Sequence, residues 1–223
     1  MVTPYDWQEG IGHRAGYVEA RLKHGSPVVA VSRPEGILML SYRRQSPKIY
    51  EIYDRLILSS VGQQSDIESI RVAALEFAHQ EGFQRSEQEV TIQRVVSAIS
   101  GSIKRSFGDF GSTPVIARSL FAEVAATPEE DAFMVLDYDG DYALHRGKAI
   151  VSGGDAAGEA VLERLQFASD SSTLDEAVEA LDAAWRQLAS SDPASETDPA
   201  DGLTREVILL DRSEARLNRF RDL

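Results

Sequence analysis

The sequence predicts an α+β protein in which two packed β-sheets are covered by helices on both outer faces. Predicted elements come in blocks: a helix, four strands, two helices, three or four strands, two helices, then one or two strands. The 223 residues suit one large domain, so residues 1–223 are predicted to form a single unit. Hydrophobic residues make up 43% of the chain and charged residues 26%, which is ordinary for a globular protein with a substantial core.

The first element is predicted to be a helix over residues 7–24. Asp6 and Glu9 have the spacing of a capping box at its start. Gly25 is predicted to end the helix in the left-handed conformation that glycine adopts easily. Apolar residues recur on one face at helical spacing: Ile11, Ala15, Val18 and Leu22.

Four strands and two helices are predicted next. A turn that contains Pro34 and Gly36 joins the first two strands. The first of the two helices begins at a second capping-box pattern, Ser65 with Glu68, and ends near Gly82. The predicted strands cover residues 28–32, 37–42, 49–53 and 56–61, and the second helix covers residues 87–107.

The second half of the chain repeats the block order. The dipeptide Asp139-Gly140 is a strong signal for a β-hairpin turn. The strands are predicted over residues 115–125, 132–137, 142–144 and 149–151, the helices over 156–167 and 174–188, and the last strands over 206–211 and 217–220.

The acidic charge of the chain excludes a general affinity for nucleic acid. The formal net charge is −13, whereas binding to phosphates needs a clustered basic surface. Part of the acidity lies in a segment rich in Ser, Pro, Asp and Ala that contains no Lys or Arg. We interpret this segment, residues 189–203, as an acidic mobile loop inside the domain.

Composition also limits the chemistry. The chain has no cysteine, which excludes disulfides, thiolate catalysis and cysteine-based zinc sites. Its four histidines are scattered without metal-ligand spacing, so neither a metal nor another cofactor is predicted. No apolar stretch is long enough to span a bilayer, and the N-terminus does not resemble a signal peptide. We therefore expect a cytoplasmic protein without a membrane partner.

Four stretches, in this order along the chain, resemble a proteasome α-type subunit of the bacterial and archaeal kind. The resemblance covers most of the chain, and it implies the fold of N-terminal-nucleophile (Ntn) hydrolases. That fold is a four-layer α-β-β-α sandwich, here with an extra N-terminal helix. The stretches are "YVEARLKHGSPVVAV", "PKIYEIYDRLILSSVG", "SDIESIRVAALEFA" and "DYDGDYALHRGKAIVSGG".

Catalytic members of this superfamily use a nucleophile that cleavage after a glycine places at the N-terminus, with the freed amino group as base. No threonine here follows a glycine, and only Ser26, after Gly25, has the right position. Pro27 comes next, and Tyr42 stands in the region where catalytic members carry an aspartate. The resemblance therefore implies a non-catalytic subunit. The alternatives are a self-processing N-terminal-serine hydrolase acting through Ser26, and a self-assembling ring without a protease partner.

By the same resemblance, copies of the chain would form the outer ring of a proteasome on a ring of catalytic β-type subunits. A ring ATPase or other activator would dock by inserting its C-terminal tails into pockets of this ring. Lys48 matches a lysine that meets the terminal carboxylate of such a tail. The alternative for Lys48 is an ordinary solvated lysine at a strand end. Gly25, Gly62 and Gln63 would help to line the pocket, although the family commonly has an apolar residue where Gln63 stands.

The resemblance also places the segment before the first helix, residues 1–6, at the pore, where it would gate entry to the degradation chamber. The segment lacks the arginine that follows Tyr-Asp in archaeal relatives. The gate residues are Thr3, Pro4, Tyr5 and Asp6.

Overall fold

Two five-stranded antiparallel sheets face each other and form the centre of the fold. The computed structural model describes residues 4–154, 158–170, 173–190, 198–213 and 218–223, without the side chains of Pro4, Tyr5, Asp6 and Glu159. Helix pairs cover the outer faces of both sheets, so the predicted four-layer α-β-β-α sandwich is confirmed.

The first sheet has the strand order β10-β9-β2-β1-β8. Strand β2 pairs along its whole length with β9, from Gly36 opposite Asp211 to Arg43 opposite Thr204. The strands are β1 (Val28–Arg33), β2 (Gly36–Arg43), β8 (Lys148–Val151), β9 (Thr204–Asp211) and β10 (Phe220–Asp222).

The second sheet runs β3-β4-β5-β6-β7 in chain order, because each strand pairs with the next. The hairpin between β6 and β7 turns at Gly140, which has a φ of +86°, as the Asp-Gly signal predicts. The strands are β3 (Ile49–Tyr53), β4 (Leu56–Gly62), β5 (Ala117–Glu123), β6 (Ala132–Leu136) and β7 (Tyr142–His145).

The central strands are buried on both faces, which explains their continuous apolar sequences. In β1, Val28 and Ala30 lie in the layer between the sheets, whereas Val29 and Val31 face the helices. The helices are α1 (Pro4–Leu22), α2 (Gln64–Gln84), α3 (Ile92–Gly108), α4 (Glu159–Asp170) and α5 (Leu174–Ala189). Helices α2 and α3 cover the second sheet, and α4 and α5 cover the first. None of the described helices is both long and apolar enough to cross a membrane.

The predicted start of α1 is wrong. The helix begins at Pro4, so Asp6 lies inside its first turn instead of capping it. Proline is favoured at a first helical position because it lacks the backbone N–H that would have no partner there. The interpretation of Gly25 is also wrong, since Gly25 is not among the glycines with positive φ.

Tertiary contacts also move the predicted starts of α2 and α3. Ser65 is a residue of α2 rather than its cap, and the predicted box partner Glu68 pairs with Arg71 instead. The second helix starts at Ile92, after a short 3-10 turn at Glu87–Glu89. Thr91 caps it by accepting a hydrogen bond from the backbone N–H of Arg94.

Part of the sequence-based predictions lies outside the described residues. Residues 191–197 of the acidic loop, Leu217 of the last predicted strand and residues 155–157 before α4 belong to this group. The final strand is described at Phe220–Asp222.

Helix α1 is fixed to the rest of the fold along its length. Val18 and Leu22 are fully buried in the layer between the sheets. The hydroxyl of Tyr138 donates to Glu19 Oε1 over 2.8 Å. Nearer the N-terminus, Arg14 donates to the carbonyl of Ser106 in the last turns of α3 and to that of Ser112 in the loop that follows. Phe110 from that loop lies edge-on to Trp7.

The closest approach is at the C-terminal end of α1. A Cβ atom on Gly153, just after β8, would stand 1.7 Å from the carbonyl oxygen of Leu22. No side chain fits there unless the backbone moves. The neighbouring Gly154 is different, because a Cβ at this position meets no atom within 4 Å.

We expect Gly153→Ala to lower the free energy of unfolding by about 2 kcal/mol, because overpacking against backbone costs about 1–3 kcal/mol. Gly154→Ala is the matched control and should change it by less than about 0.5 kcal/mol, as surface substitutions do. Urea denaturation of the purified variants measures both. Equal stability of the two variants would show that α1 is not held by this contact.

Candidate functional site

A groove of about 1000 Å³ opens where the chain leaves α1 and enters β1. Three of the four residues predicted to form a pocket line it, namely Gly25, Lys48 and Gly62. Ser26, the candidate nucleophile, lies between them. Gln63 is not part of the lining, because its side chain turns to Ser65 Oγ at 2.9 Å. The structure thus brings most of the predicted residues to one place.

Ser26 is hydrogen-bonded to the neighbouring strand. Its hydroxyl donates to the backbone carbonyl of Tyr42 over 2.7 Å. Its backbone nitrogen forms the peptide bond to Gly25, whose own N–H donates to the carbonyl of Leu22 at the end of α1.

Lys48 stands just before β3, and contacts at both ends hold it. Its backbone N–H donates to Glu206 Oε2 of β9 over 2.8 Å, and its Nζ donates to the carbonyl oxygen of Ser26 over 2.6 Å. An ammonium group has three donors, and this is the one hydrogen bond that Nζ makes to a described residue. The group can therefore bind a further acceptor that enters the groove.

Burial changes the titration of Lys48. Loss of hydration lowers the pKa of its amine to about 8, against an opposing influence of the Glu206 carboxylate. Burial also raises the pKa of Glu206, although that carboxylate accepts backbone hydrogen bonds from residues 48 and 49. At neutral pH most Lys48 side chains are charged, and a bound carboxylate would stabilise that form further.

Two glycines let backbones approach closely at the groove. A Cβ atom on Gly25 would lie 2.2 Å from Val61 Cγ1, which is the physical reason for glycine after α1. Gly62 has a φ of +147°, and a Cβ there would lie 2.1 Å from the carbonyl oxygen of Ile116. The sequence identified both positions, but it gave the wrong reason for Gly25.

One wall of the groove was not predicted. Trp185 of α5 is fully buried, and its Nε1–H donates to the carbonyl of Pro27 over 2.9 Å. Its ring lies 4.1 Å from that of Tyr42, centroid to centroid, and the Tyr42 hydroxyl donates to Asp182. Helical spacing showed that Trp185 faces the core, but no sequence signal pointed to its contact with residue 27.

An ion-pair network holds this wall against the acidic segment. Arg186 binds Asp182 over 2.6 Å and Asp198 over 2.5 Å, and it also donates to the Tyr42 hydroxyl. Burial, followed by the hydrogen bond to Asp182, raises the pKa of the Tyr42 phenol. The phenol therefore stays protonated over the physiological range and acts as a fixed donor.

The predicted gate residues are only partly described. Thr3 lies outside the described residues, whereas the backbone of Pro4, Tyr5 and Asp6 forms the first turn of α1. Among the described residues, no group of three or more His, Asp or Glu could hold a metal ion.

Comparison with known proteins finds a family model described as "Proteasome subunit", which matches residues 22–199. Relatives named proteasome subunit alpha align over most of the chain. The protein from Kineococcus radiotolerans is 30% identical over 97% of this chain and 92% of its own length. The protein from Nocardioides sp. is 29% identical over 93% and 79%, and that from Streptomyces coelicolor is 26% identical over 99% and 86%.

Burial of Lys48 should make the free energy of unfolding depend on pH. Its pKa falls from 10.5 to about 8 on folding, so the unfolded chain binds more protons between these values. The free energy of unfolding therefore rises with pH in that window, relative to a chain without this amine. We expect the difference between wild type and Lys48→Met to shift by about 1–2 kcal/mol in favour of wild type from pH 8 to pH 10.

Urea denaturation at a series of pH values measures this shift. Lys23→Met, at an exposed lysine of the same groove, is the control for loss of one positive charge. Parallel curves for wild type and Lys48→Met would contradict the burial of the Lys48 ammonium.

Proposed function

Since the chain belongs to the proteasome subunit family, we propose that it is a non-catalytic α-type subunit that works in the cytoplasm. Copies of it form the outer ring of a proteasome, which stacks on a ring of catalytic β-type subunits. The ring gates entry of protein substrates and docks a ring ATPase or other activator through its C-terminal tails. The names of the relatives and their alignment along the whole chain support this assignment.

The non-catalytic role is supported by the contacts of Ser26. Its hydroxyl donates to the backbone carbonyl of Tyr42. The lysine that would tune a nucleophile donates to the Ser26 carbonyl instead. No described carboxylate is hydrogen-bonded to the Ser26 hydroxyl.

The observation that carries the docking role is the position of the Lys48 ammonium in the groove. One of its donors is used by the Ser26 carbonyl, and the others make no hydrogen bond to a described residue, although Lys48 lines the groove. Hydrogen bonds between charged partners are stronger than neutral ones. The terminal carboxylate of an inserted tail is an acceptor of the right charge and size.

The gating role rests on the placement of the N-terminal segment. Helix α1 is held by Arg14 and by the contact between Trp7 and Phe110. Residues 4–6 are the first turn of this helix, so the proposed gate segment is attached to a fixed part of the fold, as a gate around a pore would have to be.

The purified chain alone should hydrolyse no peptide and should keep its N-terminus, apart from removal of Met1. Intact mass spectrometry and a fluorogenic peptidase assay test this, with Ser26→Ala as the matched variant. Co-expression with a β-type subunit, followed by sizing, should give a particle whose activity is insensitive to Ser26→Ala. Turnover by the isolated chain that disappears in Ser26→Ala would instead identify an N-terminal-serine hydrolase.

Deletion of residues 1–6 should raise the rate at which the assembled particle hydrolyses peptides, because entry through a gated pore limits turnover. Titration of the β-subunit active sites with a covalent inhibitor controls for equal numbers of sites. Equal rates for full-length and truncated particles would count against a gate in this segment.

Lys48→Ala should weaken binding of a C-terminal activator peptide at least about tenfold, since a hydrogen bond to a charged group contributes about 1.5–3 kcal/mol. Lys48→Arg should restore only part of the affinity, because the planar guanidinium does not reproduce a compact ammonium. Fluorescence anisotropy on assembled particles measures both, and Lys104→Ala, which lies outside the groove lining, is the control.

Assembly and basal peptidase activity should be unchanged in Lys48→Ala. Unaltered peptide affinity would reduce Lys48 to a solvated lysine, and loss of the ring would make it a structural residue.

A further inference from the structure

The groove has a charge opposite to that of the whole chain. Four cationic side chains occur among the described residues that line it: Lys23, Arg43, Arg44 and Lys48. Asp201 is the one carboxylate in that described lining. The formal net charge of the chain is −13, so its amino-acid composition does not explain a local excess of positive charge. The excess arises because the fold brings these four residues to one groove.

Two of these four cations, Lys23 and Arg44, have no side-chain partner among the described residues. The side chains of Lys23 and Arg44 are exposed and make no hydrogen bond or ion pair with a described residue. Arg43 donates to the carbonyl of Gln45 over 3.1 Å, and its Nε lies 3.9 Å from Glu206, beyond hydrogen-bonding distance. Glu206 therefore offsets part of the charge of Arg43 and of Lys48, and Asp201 is the one carboxylate of the described lining near Lys23 and Arg44.

The spacing of these cations fits an extended peptide. Arg44 is four residues before Lys48, so their Cα atoms lie within about 14 Å of each other, at about 3.6 Å per residue. An extended peptide advances about 3.3 Å per residue. A tail whose terminal carboxylate meets Lys48 can therefore bring the side chains of its last four or five residues to Arg43 and Arg44.

We propose that the groove selects peptide tails that carry acidic side chains just before their C-terminal carboxylate. Lys48 binds the carboxylate, and Arg43, Arg44 and Lys23 select for Asp or Glu upstream. The cations would also speed the approach of such a tail past an otherwise repulsive acidic surface. This inference rests on the proposed docking function and specifies the partner of the same site.

The test uses assembled particles and three fluorescent octapeptides in anisotropy titrations. The first has a free C-terminal carboxylate and three Glu among its last five residues before the terminus. The second has Gln for each Glu, and the third is the Glu peptide with a C-terminal amide. A single-stranded oligothymidylate of similar charge serves as a non-peptide anion. The variants are Lys23→Gln and Arg44→Gln, with Arg105→Gln outside the groove lining as the control of equal charge change.

The Glu peptide should bind about five- to tenfold more tightly than the Gln peptide at low salt, because it can form several solvent-exposed salt bridges that are each weak. The preference should fall below about twofold at 0.5 M salt, where such pairs are screened. Arg44→Gln and Lys23→Gln should each reduce the preference without changing affinity for the Gln peptide, and Arg105→Gln should leave it intact.

Equal binding of the Glu and Gln peptides would overturn the acidic preference and leave tail docking standing. A preference that survives in both groove variants would also overturn it. Failure of every peptide with a free carboxylate would overturn the preference together with the docking function. Oligothymidylate that binds as tightly as the Glu peptide would make the groove a general anion site and would overturn the peptide inference.

Discussion

The candidate site depends on the direct contact of the C-terminal end of α1 with the strands of both sheets. Leu22 lies against Gly153 after β8, and Gly25 lies against Val61 of β4. A Cβ atom at Gly153 would overlap the backbone of Leu22, and one at Gly25 would overlap the Val61 side chain, so both contacts need a glycine. This contact sets where the chain turns from α1 into β1, and it therefore places Ser26 and one edge of the groove.

Around this contact, polar groups that lie far apart in the sequence form hydrogen bonds with one another. Glu206 of β9 holds the backbone of Lys48, whose ammonium holds the carbonyl of Ser26. On the opposite wall, Trp185 donates to the carbonyl of Pro27. Buried polar groups are costly unless they are hydrogen-bonded, so these contacts fix one arrangement of the entrance. Ser26, at the position that a nucleophile occupies in catalytic members of the superfamily, is part of this network through its hydroxyl and its carbonyl.

The electrostatics of the groove follow from the same arrangement. The end of α1 contributes Lys23, and the end of β2 contributes Arg43 and Arg44. The partly buried Lys48 is the least hydrated of these cations, and burial lowers its pKa to about 8. The groove thus combines one poorly hydrated ammonium with the exposed cations Lys23 and Arg44. This combination suits the proposed binding of a peptide tail by its terminal carboxylate.

The sequence by itself determined the order of helices and strands. Apolar residues recur at every second position in strands and at every third or fourth position in helices, and this spacing can be recognised within a short segment. The resemblance of ordered segments, rather than any single motif, also predicted that Gly25, Lys48 and Gly62 lie together, and all three line one groove. Tertiary structure decided the rest. Helix α1 starts at Pro4 and not after the predicted cap Asp6. Helix α2 starts after Gln63, without a side-chain cap, and not after Ser65. The side chain of Gln63 binds Ser65 and does not line the groove. The close contact of Gly25 with Val61 and the packing of Trp185 on Tyr42 join segments that are far apart in the sequence. A local sequence pattern cannot predict such contacts, because it contains no information on which distant segments meet.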